Sequence, residues 1–440
     1  MRRLLVFLLL IVGVGVVPAH GQTAPPISEI TLGTSTEGRP ITAVRIGEGS
    51  RKLALVGNTH GAPEANTYGL LLQLIEYFRL RPDEVPQELS LYLIPTLNPD
   101  GLALGTRFNA RQVDLNRNMD TAADSCPEND WRNLVAGAYG IVSDTGGAFP
   151  ESEVESRLIR DFLLDAGAVI FFHSNAGVVF PACQHPPSTR LGQVFADGAG
   201  YEFIPVWDRY VITGGMHDWA GGLGIAAITP ELVSGELTEF EQNVRGTQAV
   251  LGNVVGLIPE LEPRSIGGVP VQPVIWRAWT AWGAERLWGK PVAPPKSDGR
   301  GGWQQLFDNG LLQYHPERSA TTRVTEVALL GRDWLGGRVV PREEPGSGRF
   351  FPATGHNLDG LFRDFWTIYG GLPIFGFPLT GEEPGLDERG LPVITQTFER
   401  AQMMRPLDAT TIAEIRLRPL GRLRWAQANA RTSATKVRPR

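Results

Sequence analysis

The chain has 440 residues, more than one average domain holds, so two or three folded units are expected. Hydrophobic residues make up 42% and charged residues 20%, the balance of a globular protein, and a net charge of −6 gives no electrostatic reason for a nucleic-acid partner. With 52 glycines and 34 prolines, tight turns and extended connections are expected in place of long helical bundles.

In chain order, Arg2 and Arg3 precede an apolar run from Leu4 to Val17 and the small-residue stretch Ala19-His20-Gly21. That layout predicts a secretory signal peptide over residues 1–21. The run is about 14 residues, shorter than the ~20 of a spanning helix, so cleavage and secretion are expected over anchoring. The first folded unit is expected over 27–259. Leu53-Ala-Leu-Val56, Leu91-Tyr-Leu-Ile94, Ala168 to Phe172 and Ile225 to Ile228 read as buried strands. Ala65 to Leu80, Glu151 to Leu164 and Glu239 to Val255 read as helices. Strands alternating with helices predict a three-layer α/β/α sandwich around a mixed, mostly parallel sheet. Cys126 and Cys183 are the two cysteines; they either form one disulfide or both stay free.

The Pro-rich stretch 260–273 reads as a linker. Beyond it the sequence repeats at an offset of about 90 residues. Ala281-Trp-Gly-Ala-Glu-Arg-Leu-Trp-Gly-Lys-Pro291 matches Ile368-Tyr-Gly-Gly-Leu-Pro-Ile-Phe-Gly-Phe-Pro378, each followed by a Phe-containing strand and a Leu-Gly pair (Leu330-Gly331, Leu420-Gly421). Two smaller β-rich modules are therefore expected, over 274–335 and 350–425, with a polar tail over 426–440. They resemble the LGFP-type repeats attached to bacterial cell-surface enzymes, which implies a cell-surface polymer as partner. On that reading they are dispensable for hydrolysis of small peptides.

Four short segments carry the chemistry. Thr59-His-Gly-Ala-Pro-Glu64 leaves a predicted strand, so an imidazole and a carboxylate turn toward one point; zinc takes both. His173 ends another buried strand and offers a third ligand. Taken singly, such residues are more often structural or solvated. Arg107, Asn116 and Arg117, in Arg-Phe-Asn109 and Asp114-Leu-Asn-Arg-Asn118, would make beside a metal a receptor for an anionic chain end. Glu231, in Thr229-Pro-Glu-Leu232, is a carboxylate placed to move a proton. Asn98-Pro-Asp-Gly101 by itself is a turn.

The order His-Glu, Asn-Pro-Asp-Gly, Arg-x-Asn, Asp-Leu-Asn-Arg-Asn, His-Ser, Asp-Trp, Glu-Leu, over Leu53 to Val233, resembles that of the zinc carboxypeptidases related to pancreatic carboxypeptidase A (peptidase family M14). The resemblance implies one Zn²⁺ per chain at His60, Glu64 and His173. It implies Asn116 and Arg117 on the substrate carboxylate, Arg107 on the oxyanion and Glu231 as general base and acid. It also implies Tyr210 as the tyrosine that closes over substrate, and His217 at the floor of the side-chain pocket, where an imidazole favours polar or acidic ends. Two positions depart from the pattern. Glu64 lies four residues after His60 where the family has three, and Pro63 replaces a basic residue.

Three readings follow. The leading one is a secreted metallocarboxypeptidase acting on peptides or proteins with a free C-terminal carboxylate. The second is a zinc amidase or deacylase acting on cell-wall peptides. The third is a zinc-free protein that binds peptides or wall fragments without cleaving them.

Overall fold

Leu89-Ser-Leu-Tyr-Leu-Ile94 buries every side chain, as a strand covered on both faces must. In the computed structural model, which describes residues 25–136 and 142–436 (side chains to 430), this run lies within a nine-stranded sheet. The signal-peptide expectation, residues 1–21, falls outside the described residues. The strands are β1 (Ile27–Thr34), β2 (Pro40–Ile46), β3 (Arg51–Val56), β4 (Leu89–Ile94), β5 (Ala168–Phe171), β6 (His173–Ser174), β7 (Val178–Pro181), β8 (Glu202–Phe203) and β9 (Ala226–Leu232). Their order is β1-β2-β4-β3-β5-β9-β7-β8, with β6 paired to β9. The centre, β4-β3-β5-β9, is parallel; β1, β2 and β7 join antiparallel neighbours.

Alternate residues of the central strands feed two cores, one on each face. Leu53, Leu55, Leu91, Leu93 and Ile170 pack with Leu71, Leu74 and Phe78 of α1 (Ala65–Leu80) and with the helices Pro186–Ala199 and Phe240–Leu251. Ala54, Tyr92, Val169 and Phe171 point the other way. They meet Ile159, Phe162 and Leu163 of the helix Val154–Leu163, and Trp219 of the helix Met216–Gly222. The expected sandwich is therefore present. In α1 the buried Leu70, Leu71, Leu74, Ile75 and Phe78 lie on one stripe, each worth about 1.5–3 kcal/mol on burial.

Several elements of this unit had no clear sequence signal. Edge strand β1 is mostly exposed and carries Ser28, Glu29 and Thr31, so no apolar run marks it. The antiparallel β7 is only four residues long. The helix Pro186–Ala199 opens on two prolines, which read as a break but suit a first helical turn. It packs with the helix Phe240–Leu251 on the α1 face of the sheet. Cys126 and Cys183 form a disulfide, closing a 57-residue separation, worth about 4 kcal/mol by loop closure.

The second half contains two similar sets of elements. Each copy has a β-hairpin (Arg264–Ile266 with Val269–Val271; Arg349–Phe351 with His356–Leu358) and two helices (Pro273–Ala281 and Ala284–Trp288; Gly360–Ile368 and Gly371–Phe375). A four-stranded antiparallel sheet follows in each. The closing helices are exchanged. Gly331, on the helix Leu330–Leu335, sits so close to the second copy's turn that a Cβ would come 2.0 Å from the Phe398 carbonyl oxygen. Gly421 meets Phe307 of the first copy in the same way, at 2.0 Å. The Leu-Gly pairs are thus the contact points of two interlocked modules.

Three expectations are corrected here. The stretch 260–273 is not an extended tether: it contains the first hairpin. Of the expected tail, 426–440, the described part to 436 is helical, within Leu420–Lys436. The repeats are also not detached, because one apolar core runs from Phe162 and Tyr92 through Trp282 and Trp288 to Phe307, Phe365 and Phe398. Buried Arg277 pins the halves together. It donates to the carbonyls of Leu223 (2.9 Å), Leu164 (3.1 Å), Ala166 (2.7 Å) and Gly224 (3.0 Å). Removing it leaves several buried carbonyls unpaired, each costing about 1–3 kcal/mol. Arg277→Ala is therefore expected to destabilise the protein by about 3 kcal/mol or more, read as a lower urea midpoint. By the same contacts, a chain cut after Pro259 is expected to be poorly soluble, contrary to the sequence expectation of dispensable repeats.

Candidate metal centre and active site

The centre is built from strand ends. β3 runs out at Val56 into a loop that places His60, and β5 and β6 deliver His173 next to β9, where His173 stands in register with Glu231. The one-residue-longer His60–Glu64 loop is absorbed at Gly61, whose φ of 51° is in the left-handed region. A side chain there would also meet the Thr106 carbonyl oxygen at 2.2 Å, so glycine is required. A short 3₁₀ turn, Ala62–Glu64, follows and brings the carboxylate back. Asn58 holds this turn by donating to the Gly61 carbonyl oxygen at 2.6 Å and the Glu64 carbonyl oxygen at 3.2 Å.

The result is a tight donor set. Glu64 Oε1 lies 2.6 Å from His60 Nδ1, Glu64 Oε2 lies 2.9 Å from His173 Nδ1, and the two Nδ1 atoms are 3.1 Å apart. All three side chains are buried. Two imidazoles and a carboxylate presenting their ligand atoms to one point, beside a cavity, is the set a catalytic zinc takes. Burial disfavours the Glu64 carboxylate, but His60 and His173 outweigh it and hold its pKa below the usual range. Burial likewise opposes a charge on His173, and Glu64 overcomes it, raising that pKa.

Asp114 was not singled out by the sequence, although it opens the Asp-Leu-Asn-Arg-Asn run. Its Oδ1 lies 3.0 Å from His60 Nε2, and its Oδ2 accepts from Arg107 Nε at 3.0 Å. Burial is outweighed by Arg107 and His60, so Asp114 stays ionised well below the usual range. It fixes the His60 ring with Nδ1 toward the donor set. Asp114→Asn is expected to weaken zinc affinity about 10–100-fold, measured by competition with a chelating dye. Asn98 was read as a mere turn residue. Its side chain accepts from Gly101 N–H and donates at 3.2 Å to both the Thr59 and Arg107 carbonyl oxygens, tying the His60 loop to the Arg107 loop.

A cavity of about 350 Å³ opens beside this set, lined among others by His60, Glu64, Arg107, Asn116, Arg117, Tyr210 and Glu231. Arg107 reaches Glu64 at 3.5 Å. Burial works against its charge, but Asp114 and Glu64 raise its pKa further. The Asn116 side-chain oxygen accepts from Met216 N–H at 2.9 Å, so its amide NH₂ is the end left to donate. Buried Arg117 donates from Nη1 to the Asn116 carbonyl oxygen at 2.8 Å, while its Nε has no partner. Glu231, partly exposed on the cavity wall, has its carboxyl raised to about 7 by burial, with Glu64 adding to it and His173 opposing. Tyr210 stands with Arg117 Cζ 5.9 Å from its ring centre.

His217 is placed differently from the expectation. It is buried, with Phe180 edge-on to its ring at 5.1 Å, and it lines a void of about 180 Å³ that shares Phe180, Trp207, Tyr210 and Ile212 with the cavity. Its neighbour Asp218 accepts from Cys183 N–H at 2.8 Å, so this motif anchors the disulfide loop. Burial lowers the His217 pKa, keeping the ring neutral.

A buried imidazole–carboxylate–imidazole set, flanked by a carboxylate and guanidiniums at the strand ends of an α/β sandwich, defines the class: a metal-dependent hydrolase. The family follows from comparison. The model of the zinc carboxypeptidase family, peptidase M14, matches residues 21–242, about half of the chain, and the chain belongs to that family. It is 37% identical over 245 residues to murein peptide amidase A of Vibrio campbellii, covering 51% of this chain and 88% of that protein. It is 25% identical over 230 residues to carboxypeptidase A2 of Rattus norvegicus, covering 45% and 55%. Among solved structures, a murein-tripeptide amidase of Escherichia coli O157 is similar at 20% identity and a TM-score of 0.40, covering 54% of this chain and all of that one.

Proposed function

We propose that the chain is a secreted zinc metallocarboxypeptidase, hydrolysing the bond before a residue that carries a free carboxylate. The observation that carries this reading is Arg117, a buried guanidinium with an unpartnered Nε, standing beside Asn116 in the same cavity as Glu231 and the His60–Glu64–His173 set. A buried guanidinium with no carboxylate ion pair among the described residues has a natural partner in a substrate carboxylate. Zinc, when bound by His60, Glu64 and His173, supplies Lewis acidity that polarises a carbonyl and acidifies a water. Arg117 and Asn116 grip the terminal carboxylate and so fix which bond lies over the centre. Arg107 meets negative charge as it develops on the scissile carbonyl oxygen. Glu231, with a carboxyl near neutrality in its pKa, takes a proton from the attacking water and passes it to the departing amine. Tyr210 covers the bound end and excludes solvent. The Cys126–Cys183 bridge supports export, since such bonds persist in oxidising compartments. The second reading, an amidase acting on cell-wall peptides, draws on the likeness to murein peptide amidase A, and the repeats would then contact a wall polymer.

Matched N-blocked dipeptides with a free or an amidated C-terminus test the reading. Hydrolysis of the free acid alone is expected. Equal hydrolysis of both would remove the role given to Arg117, and cleavage of wall peptides alone would favour the amidase.

A further inference from the structure

The cavity is lined by three guanidiniums, and only two have a task in the reaction above. The third, Arg209, stands exposed at the rim. Among the described residues no carboxylate pairs with it; its contact is the Trp207 ring, whose centre lies 5.0 Å from Cζ. That ring is itself held between Phe180 at 4.9 Å and Tyr210 at 5.3 Å. An aromatic bracket therefore presents the Arg209 charge to the cavity. Arg209 is the chain neighbour of Tyr210, whose ring centre lies 5.9 Å from Arg117 Cζ, so two guanidiniums with no carboxylate ion pair among the described residues line the same cavity. Of the two carboxylates that line the cavity, Glu64 is engaged by His60 and His173 and Glu231 is the proposed proton carrier; neither forms an ion pair with Arg209.

A substrate end with one carboxylate answers Arg117 and leaves Arg209 to solvent. An end with two answers both. Resting on the proposed hydrolysis, we propose that Arg209 is a specificity-determining residue that pairs with a second carboxylate on the released residue, so that dicarboxylic amino acids are the preferred leaving groups. The acidic preference that the sequence attached to His217 is thereby assigned to a different residue, one on the cavity. Lost packing on Trp207 is a small part of the effect, because a glutamine at 209 keeps most of the aliphatic stem.

The test uses the zinc-loaded full chain and N-blocked dipeptides ending in Glu, Gln or Phe. Glu and Gln have the same shape, so their kcat/KM ratio reads the charge. The wild type is expected to favour Glu over Gln by about tenfold, the scale of one charge-assisted hydrogen bond at a partly exposed site. Arg209→Gln is expected to bring that ratio close to one and leave the Phe substrate unchanged, while Arg209→Lys keeps part of the preference. A wild-type ratio near one, or a ratio that Arg209→Gln does not change, overturns the proposal. If the wild type hydrolyses none of the three, the proposed reaction has failed and binding decides Arg209. Calorimetry with the same Glu and Gln dipeptides would then show tighter binding of Glu, lost in Arg209→Gln; equal binding overturns it.

Discussion

Glu231→Gln is expected to lower kcat by a factor on the order of 10²–10⁴, with zinc content, fold and KM close to wild type. The substitution keeps the size of the side chain and the pairing of β9 with β6, where Glu231 lies in register with His173. None of the three proposed ligands is altered. What is removed is one group that can accept and return a proton at the centre of the cavity. No other carboxylate takes over: Glu64 is committed to the two histidines, and Asp114 is held by His60 and Arg107. The loss should fall on kcat, because a proton-transfer group acts in the transition state and contributes little to holding the ground state. Turnover within a few-fold of wild type would show that another group moves the proton.

Arg117→Ala is expected to lower kcat/KM for free-acid peptides by a factor on the order of 10²–10³, as truncation of one partner of a buried charge pair does. Arg117 is buried, anchored at the Asn116 carbonyl oxygen, and has an unpartnered Nε. Its substrate contact is therefore made in a place that water screens little. An amidated substrate, already poor, should change much less, so the discrimination between free and blocked ends should nearly vanish. A similar proportional loss on both substrates would point to a general disturbance of the site.

Much of this was legible in the sequence, for identifiable reasons. Buried parallel strands are nearly continuous apolar runs, so β3, β4 and β5 announced themselves, and α1 carried its stripe at helical spacing with the observed bounds. His60 and His173 follow such runs and Glu231 lies at the end of one, which is why these three stood out. Glu64 needed the structure, because only the left-handed turn at Gly61 shows how four intervening steps bring its carboxylate to His60. Asp114 and Asn98 act through other residues, and nothing in a one-dimensional pattern marks such contacts. His217 sits at the expected sequence position, yet it lines the adjoining void, and a sequence pattern does not say which of two neighbouring pockets a side chain borders. The linker expectation failed because Pro and Gly mark a tight hairpin as readily as a tether. The tail expectation failed because the polar sequence after Leu420 has no strong apolar stripe, though it continues a helix anchored by Leu420 and Leu423.

The central claim is that His60, Glu64 and His173 hold one zinc beside Glu231. Crystals of zinc-equilibrated full-length protein, measured on both sides of the zinc absorption edge, test it most directly. The account predicts one strong anomalous peak per chain, bonded to Nδ1 of His60, Nδ1 of His173 and the Glu64 carboxylate and facing the cavity that Glu231 lines. A well-folded protein with no peak at that point, or with its zinc bound by other residues, would contradict it.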